Sequence, residues 1–117
     1  MSKVTWMYNR NGCKTCANSH AFLDANEVDI EEIIDCKKDT KTGDTAISVL
    51  EDVEKLYSVK GKQVKEVDLS ENRPSDEELK KLLLGPTGNL RAPTIRVDET
   101  IVVGYNQDTY EKLLVCQ

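Results

Sequence analysis

Along the chain the apolar residues fall into short runs, and the period of each run marks an element. Lys3 to Tyr8 (Lys-Val-Thr-Trp-Met-Tyr) is rich in β-branched and aromatic residues. It leads into Asn9-Arg10-Asn11-Gly12, a turn composition, which predicts a strand and then a loop. From Lys14 to Ala25 the period lengthens: Cys16, His20 and Leu23 recur at helical spacing with Ala17, Ala21 and Phe22 beside them. A helix is expected there, with a cysteine pair in its first turn. Val28 to Ile34 sets Val28, Ile30, Ile33 and Ile34 among acids, a second strand that passes into the loop Asp35 to Gly43. Together these pieces make a β-α-β unit.

Farther on, Asp44 can cap a helix running to about Tyr57, with Ala46, Leu50, Val53 and Tyr57 on one face, Ile47 and Val49 flanking it, and Lys60-Gly61-Lys62 ending it. Gln63 to Leu69, with Val64, Val67 and Leu69 as its apolar residues, reads as extended chain. Ser75-Asp76-Glu77-Glu78 is a capping-box pattern that opens a helix carrying Leu79, Leu82 and Leu83, stopped by Gly85-Pro86. After the turn-rich segment Thr87 to Arg91, Thr94 to Val97 and Ile101 to Val103 flank Asp98-Glu99-Thr100 as a β-hairpin. A last helix from about Gln107 carries Tyr110, Leu113 and Leu114.

With 38% hydrophobic and 32% charged residues the composition is that of an ordinary soluble globular protein. The length suits one core, so residues 1–117 are read as a single domain. No apolar run is long enough to span a bilayer, and Met1 to Tyr8 lacks the charged start and long apolar stretch of a secretory signal. A cytoplasmic location, no membrane partner and a monomer are expected. A net charge of −5 disfavours a phosphate backbone as ligand, since nucleic-acid binders carry a basic face, so no direct nucleic-acid partner is expected.

Four cysteines, Cys13, Cys16, Cys36 and Cys116, would suggest a disulfide framework in a secreted chain; in a reducing cytosol they suggest catalytic or metal-binding thiols. In Cys13-Lys14-Thr15-Cys16 one helical turn separates the two thiols, close enough to form a small disulfide ring. With Cys13 just before the helix, free backbone amides, the helix dipole and Lys14 all stabilise its thiolate. Cys16 shares the face of Leu23 and should be shielded. Cys13 then attacks a substrate disulfide and Cys16 resolves the mixed disulfide. Taken alone, Cys-x-x-Cys is shared by redox pairs, half zinc sites and chance. Its place after a strand and at a helix start, without a second such pair, favours redox chemistry and no metal.

Tyr8-x-x-x-x-Cys13-x-x-Cys16 resembles the strand, loop and redox pair of glutaredoxins. Arg91-Ala92-Pro93-Thr94-Ile95 resembles the cis-proline segment of thioredoxin-fold proteins, and Val103-Gly104-Tyr105-Asn106-x-Asp108 the glutaredoxin glycine motif before the last helix. The long interval before Pro93 is similar to that of the glutaredoxin-coupled arsenate reductases and their Spx-like branch, which insert helices there. This resemblance implies an α/β thioredoxin-like fold, β-α-β then α-β-β-α around a mixed central sheet, with Asp44 to Tyr57 as a helical insertion and Ser75 to Leu84 as the crossover. It implies a thiol-disulfide oxidoreductase with no bound cofactor, acting on protein or glutathione mixed disulfides and reduced by glutathione or thioredoxin. The alternatives are an arsenate reductase, an Spx-like redox-sensing transcription regulator, and zinc held by Cys13, Cys16 and either Cys36 or His20.

By the same resemblance Pro93 and Ala92 position the substrate beside Cys13 and Cys16, while Gly104, Asn106 and Asp108 bind the charged amine of glutathione; Arg91 and Lys14, with Arg10, would add positive charge around Cys13 that positions glutathione carboxylates or an oxyanion. Arsenate reductases carry an arginine directly before the proline; here Ala92 stands there and Arg91 one position earlier, which turns the expectation from an oxyanion toward a disulfide. Plainer readings stand beside these. Pro93 also suits a strand start, Asn106 and Asp108 are ordinary helix-start residues, and Arg10, Lys14 and Arg91 are as readily solvated loop charges as a cationic ring around Cys13. His20 reads as a half-exposed helix residue, Cys36 and Cys116 as passive thiols, Lys37, Lys38 and Lys41 as a solvated loop, and Trp6 as core.

Overall fold

The computed structural model describes residues 4–10, 12, 14–35, 42–51, 53–60, 63–71, 73–85 and 88–115. The expectations for Cys13, Cys36, Cys116, Lys37, Lys38 and Lys41 lie outside them. Strand β1 (Trp6–Asn9) runs parallel to β2 (Ile33–Asp35), Met7 opposite Ile33, with helix α1 (Lys14–Ala25) crossing between them. This is the anticipated β-α-β unit, its helix at the anticipated bounds. β2 is shorter than the Val28 to Ile34 run. The chain leaves α1 through a tight turn, Glu27 at φ 56° and the Val28 amide bonded back to the Leu23 carbonyl, so Val28 and Ile30 pack near α1 and, among the described residues, an isolated Val4–Ile30 bridge precedes the regular ladder.

The second half corrects one element. The helix expected over Asp44 to Tyr57 is instead α2 (Gly43–Ile47), a 3₁₀ turn at Ser48–Leu50, and then strand β3 (Lys55–Lys60), which pairs antiparallel with β4 (Gln63–Asp68). Ala46, Leu50 and Val53 are buried as anticipated, but Tyr57 is buried from a strand. Leu56, Tyr57, Ser58 and Val59 are all inside because β3 is covered on both faces, and a run buried all round carries no period by which to tell strand from helix. Lys60 therefore ends a strand rather than a helix, and the insertion is a short helix plus a β-hairpin.

Helix α3 (Asp76–Leu83) begins with the serine half of the capping pattern: Ser75 Oγ accepts from the Glu78 amide at 3.4 Å. Ser75→Ala should cost about 0.5–2 kcal/mol, read by urea denaturation; an unchanged midpoint would show that the cap is idle. Strands β5 (Thr94–Val97) and β6 (Thr100–Val103) form the anticipated hairpin, and α4 (Gln107–Tyr110) continues into a π-helical turn at Glu111–Val115.

The six strands among the described residues join one mixed sheet in the order β2-β1-β5-β6-β3-β4. Side chains alternate between its faces. Met7, Ile95 and Val102 meet Phe22, Leu23 and Tyr110 of α1 and α4, while Tyr8, Ile101 and Val103 meet Ala46, Leu79 and Leu83 of α2 and α3. Trp6 is half-buried against the second of these clusters. The arrangement is a thioredoxin-like fold, with β3 and β4 added beyond β6. No helix among the described residues is long and apolar enough to cross a membrane.

Candidate active site

Strand register brings the three sequence motifs to one end of the sheet. β1 finishes at Asn9, and the chain passes Arg10 and Gly12, the latter at φ 77°, before α1 starts at Lys14. Tyr8 lies opposite Thr94, and Thr94 opposite Val103, so Pro93 and Gly104 stand at the same end as the start of α1. In the first turn of α1, Lys14 and Thr15 are exposed while Cys16 is 2% exposed, on the buried face with Ser19, Phe22 and Leu23. Cys16 is thus shielded as its spacing implied. Among the described residues no three His, Cys, Asp or Glu side chains gather as a metal-binding group; Cys13 and Cys36 of the zinc reading fall outside that set.

Pro93 is buried and the Ala92–Pro93 peptide is cis, as the motif implied. Its carbonyl accepts from the Gly104 amide at 2.7 Å, and the Thr94 hydroxyl donates to the Arg91 carbonyl at 2.6 Å, which pins the segment that opens β5. Gly104 has φ 93°, and a Cβ there would lie 3.1 Å from Val59 Cβ and 3.2 Å from the Val59 carbonyl oxygen. Both the backbone and the crowding call for glycine. Gly104→Ala should lower stability by about 1–3 kcal/mol, measurable as a fall in melting temperature. A melt equal to the parent protein's would show that this contact relaxes freely.

Arg91 turns away from β1. Its Nη2 donates to the Val59 carbonyl of β3 at 2.7 Å, two strands from β5 on the side opposite β1. Nη1 is buried with no hydrogen-bond partner, and burial pushes the guanidinium below its ordinary pKa. This side chain ties the added hairpin to the loop before Pro93. The structure does not bring it together with Lys14, which lies exposed on α1.

Asn106 caps α4, its Oδ1 accepting from the Thr109 amide at 2.9 Å and the Thr109 hydroxyl at 3.1 Å, and Asp108 is exposed in the first turn. His20 Nε2 meets Asn9 Oδ1 at 3.1 Å, tying α1 to the end of β1. A cleft of about 740 Å³, edged by Lys60, Lys65, Lys81 and Glu78, lies between the β3–β4 hairpin and α3, on the face opposite α1.

One polar pair escaped the sequence reading. Ser19 on α1 and Tyr110 on α4, both 0% exposed, share a hydrogen bond of 2.8 Å between their hydroxyls. Tyr110 Oη also donates to the Gly104 carbonyl at 3.4 Å. A hydrogen-bonded path thus runs from the cysteine helix through α4 to Gly104, whose amide holds Pro93. Burial pushes the Tyr110 phenol far above its ordinary pKa and raises that of Tyr105 as well. A signal for the pair was present: Ser19 is a hydroxyl in an apolar stripe, three positions past Cys16.

Across residues 8–113, nearly the whole chain, the sequence matches a family model described as the ArsC family. No curated protein matches it.

Proposed function

The chain belongs to the ArsC family, and we propose that it is a thiol-disulfide oxidoreductase that cycles Cys13 and Cys16 between dithiol and disulfide on protein or glutathione mixed disulfides. The observation that carries this reading is the placement of Cys16, shielded in the first turn of α1, at the sheet end that also holds Pro93 and Gly104. A thiol so placed is protected from solution oxidants yet one helical turn from position 13.

The chemistry is two exchanges. The Cys13 thiolate attacks one sulfur of the substrate disulfide, forming a mixed disulfide and expelling the first thiolate. Cys16, once deprotonated, attacks the Cys13 sulfur, closing the Cys13–Cys16 disulfide and expelling the second. The substrate gains two electrons and the protein loses them; two glutathione molecules or one reduced thioredoxin restore the dithiol. The backbone of Ala92 and Pro93, beside the end of β1, supports an extended substrate chain, and Gly104, Asn106 and Asp108 line the approach for the charged amine of glutathione. Since Asn106 already spends its side-chain oxygen on the α4 cap, its amide nitrogen is the group left for a ligand.

Family membership favours a second reading, arsenate reduction with Cys13 attacking arsenic. Arg91, engaged with Val59 on the far side of β5, offers that oxyanion little. The deciding assay supplies a glutathione-capped peptide or arsenate to the reduced protein, each with glutathione and with thioredoxin plus its reductase. Turnover of the capped peptide alone is the expected result. Arsenate-dependent turnover without peptide reduction would overturn the proposal in favour of the second reading.

A further inference from the structure

Cys16 must become an anion to attack, and it sits where an anion is costly. A buried thiolate loses its hydration, and each hydrogen-bond donor that faces it favours the anion. Ser19 is three residues on, on the same buried face of α1, its Cβ about 5–6 Å from that of Cys16 by helical geometry. Of the buried side chains on that face, Ser19 alone carries a hydroxyl.

The Ser19–Tyr110 pair is not what packing asks for. Phe22 and Tyr105 meet the Tyr110 ring edge-on, at centroid distances of 5.6 and 4.8 Å, and a phenylalanine would keep both contacts. Replacing both partners of a buried hydrogen bond by apolar groups of the same shape is nearly neutral for stability. An alanine and a phenylalanine would therefore fill this space, and the hydroxyls call for another account.

Proton counting supplies one. Tyr110 has a single hydroxyl proton and two acceptors, the Gly104 carbonyl at 3.4 Å and Ser19 Oγ at 2.8 Å. When the proton goes to the nearer acceptor, Ser19 is free to aim its own proton into the preceding turn, where Cys16 sits. When it goes to Gly104, Ser19 donates to Tyr110 instead. We infer that Ser19 and Tyr110 are positioning residues for Cys16, their paired hydroxyls supplying a hydrogen bond that favours its anion during attack on the mixed disulfide. This inference rests on the proposed role of Cys16 as the resolving thiol.

The electrostatic surroundings agree. Burial dominates in raising the Tyr110 phenol, the bond from Ser19 opposes it, and the charges of Tyr105 and Cys16 raise it further. Other titratable groups on the packed elements stand apart from the pair. His20 is engaged by Asn9, Glu111 acts on Tyr105, Tyr57 of β3 faces Lys112, and Lys14 and Asp108 are exposed; β5 and β6 present Ile95 and Val102 here.

The test uses the full chain with Cys36→Ser and Cys116→Ser, reduced and mixed with 5,5′-dithiobis(2-nitrobenzoate) in stopped flow. Cys13 releases the first nitrothiolate as the mixed disulfide forms; Cys16 releases the second as the internal disulfide closes. The pH midpoint of the second phase reports the Cys16 thiolate. Ser19→Ala and Tyr110→Phe should each raise that midpoint and slow the second phase about tenfold at pH 7, one pH unit being worth a factor of ten. The first phase and the high-pH plateau should hold, and Ser19→Thr should restore the parent midpoint. Should either single variant melt early, Ser19→Ala/Tyr110→Phe removes both polar atoms together and is read in the same way. A midpoint that does not move in folded variants overturns the inference. A parent protein with no second phase instead removes the resolving role of Cys16, and the inference with it, a result told from the first by the parent trace alone.

Discussion

Cys16→Ser protein given a glutathione-capped peptide is expected to stop half-way, with a covalent adduct on Cys13 visible by intact-mass and peptide mapping. Turnover should fall on the order of 100-fold or more, because an intramolecular nucleophile held in line is worth far more than one supplied from solution. Glutathione at millimolar concentration would have to do what Cys16 does from one helical turn away. Cys13→Ser should show no adduct and no turnover, since Cys16 is 2% exposed and cannot meet a bulky disulfide directly. An adduct on Cys36 or Cys116 in place of Cys13, or full turnover by the Cys16→Ser protein, would refute the order of attack.

Leu83→Ala should be the most damaging single change to the fold. Leu83 is 0% exposed in the cluster between the sheet and α3, and its carbonyl accepts the Arg91 amide at 2.9 Å, so it joins the core to the loop before Pro93. Truncation leaves a cavity in a packed interior and should cost about 2–5 kcal/mol, or roughly 10–20 °C of melting temperature. Ile33→Ser makes the control. Ile33 is 55% exposed on β2, and its loss should shift the melt by only a degree or two. Equal losses from the two changes would contradict the core described above.

Most of the fold was legible because its elements announce themselves locally. α1 and α3 have single-sided apolar stripes and clear starts, and the β5–β6 hairpin has two β-branched runs around a charged turn. β3 failed for a physical reason: a central strand buried on both faces repeats nothing, so the spacing of Ala46, Leu50, Val53 and Tyr57 mimicked a helix across three different elements. At the site, local chemistry was readable and long-range pairing was not. The shielding of Cys16 followed from its spacing to Leu23, but the partner of Arg91 lies 32 residues away and that of Ser19 lies 91 away. Ser19 stood out as a hydroxyl in an apolar stripe, but no pattern in one sequence names its partner or that of Arg91; the tertiary packing does.

The added hairpin also decides which strand of this sheet faces the outside world. Without β3 and β4, the apolar Thr-Ile-Val-Val run of β6 would be an open edge, a ready template for strand pairing with another chain. With them, the edge on that side becomes β4, Gln-Val-Lys-Glu-Val-Asp, where Lys65 and Glu66 stand exposed at its middle and resist such pairing. Shortening the hairpin should therefore show as self-association.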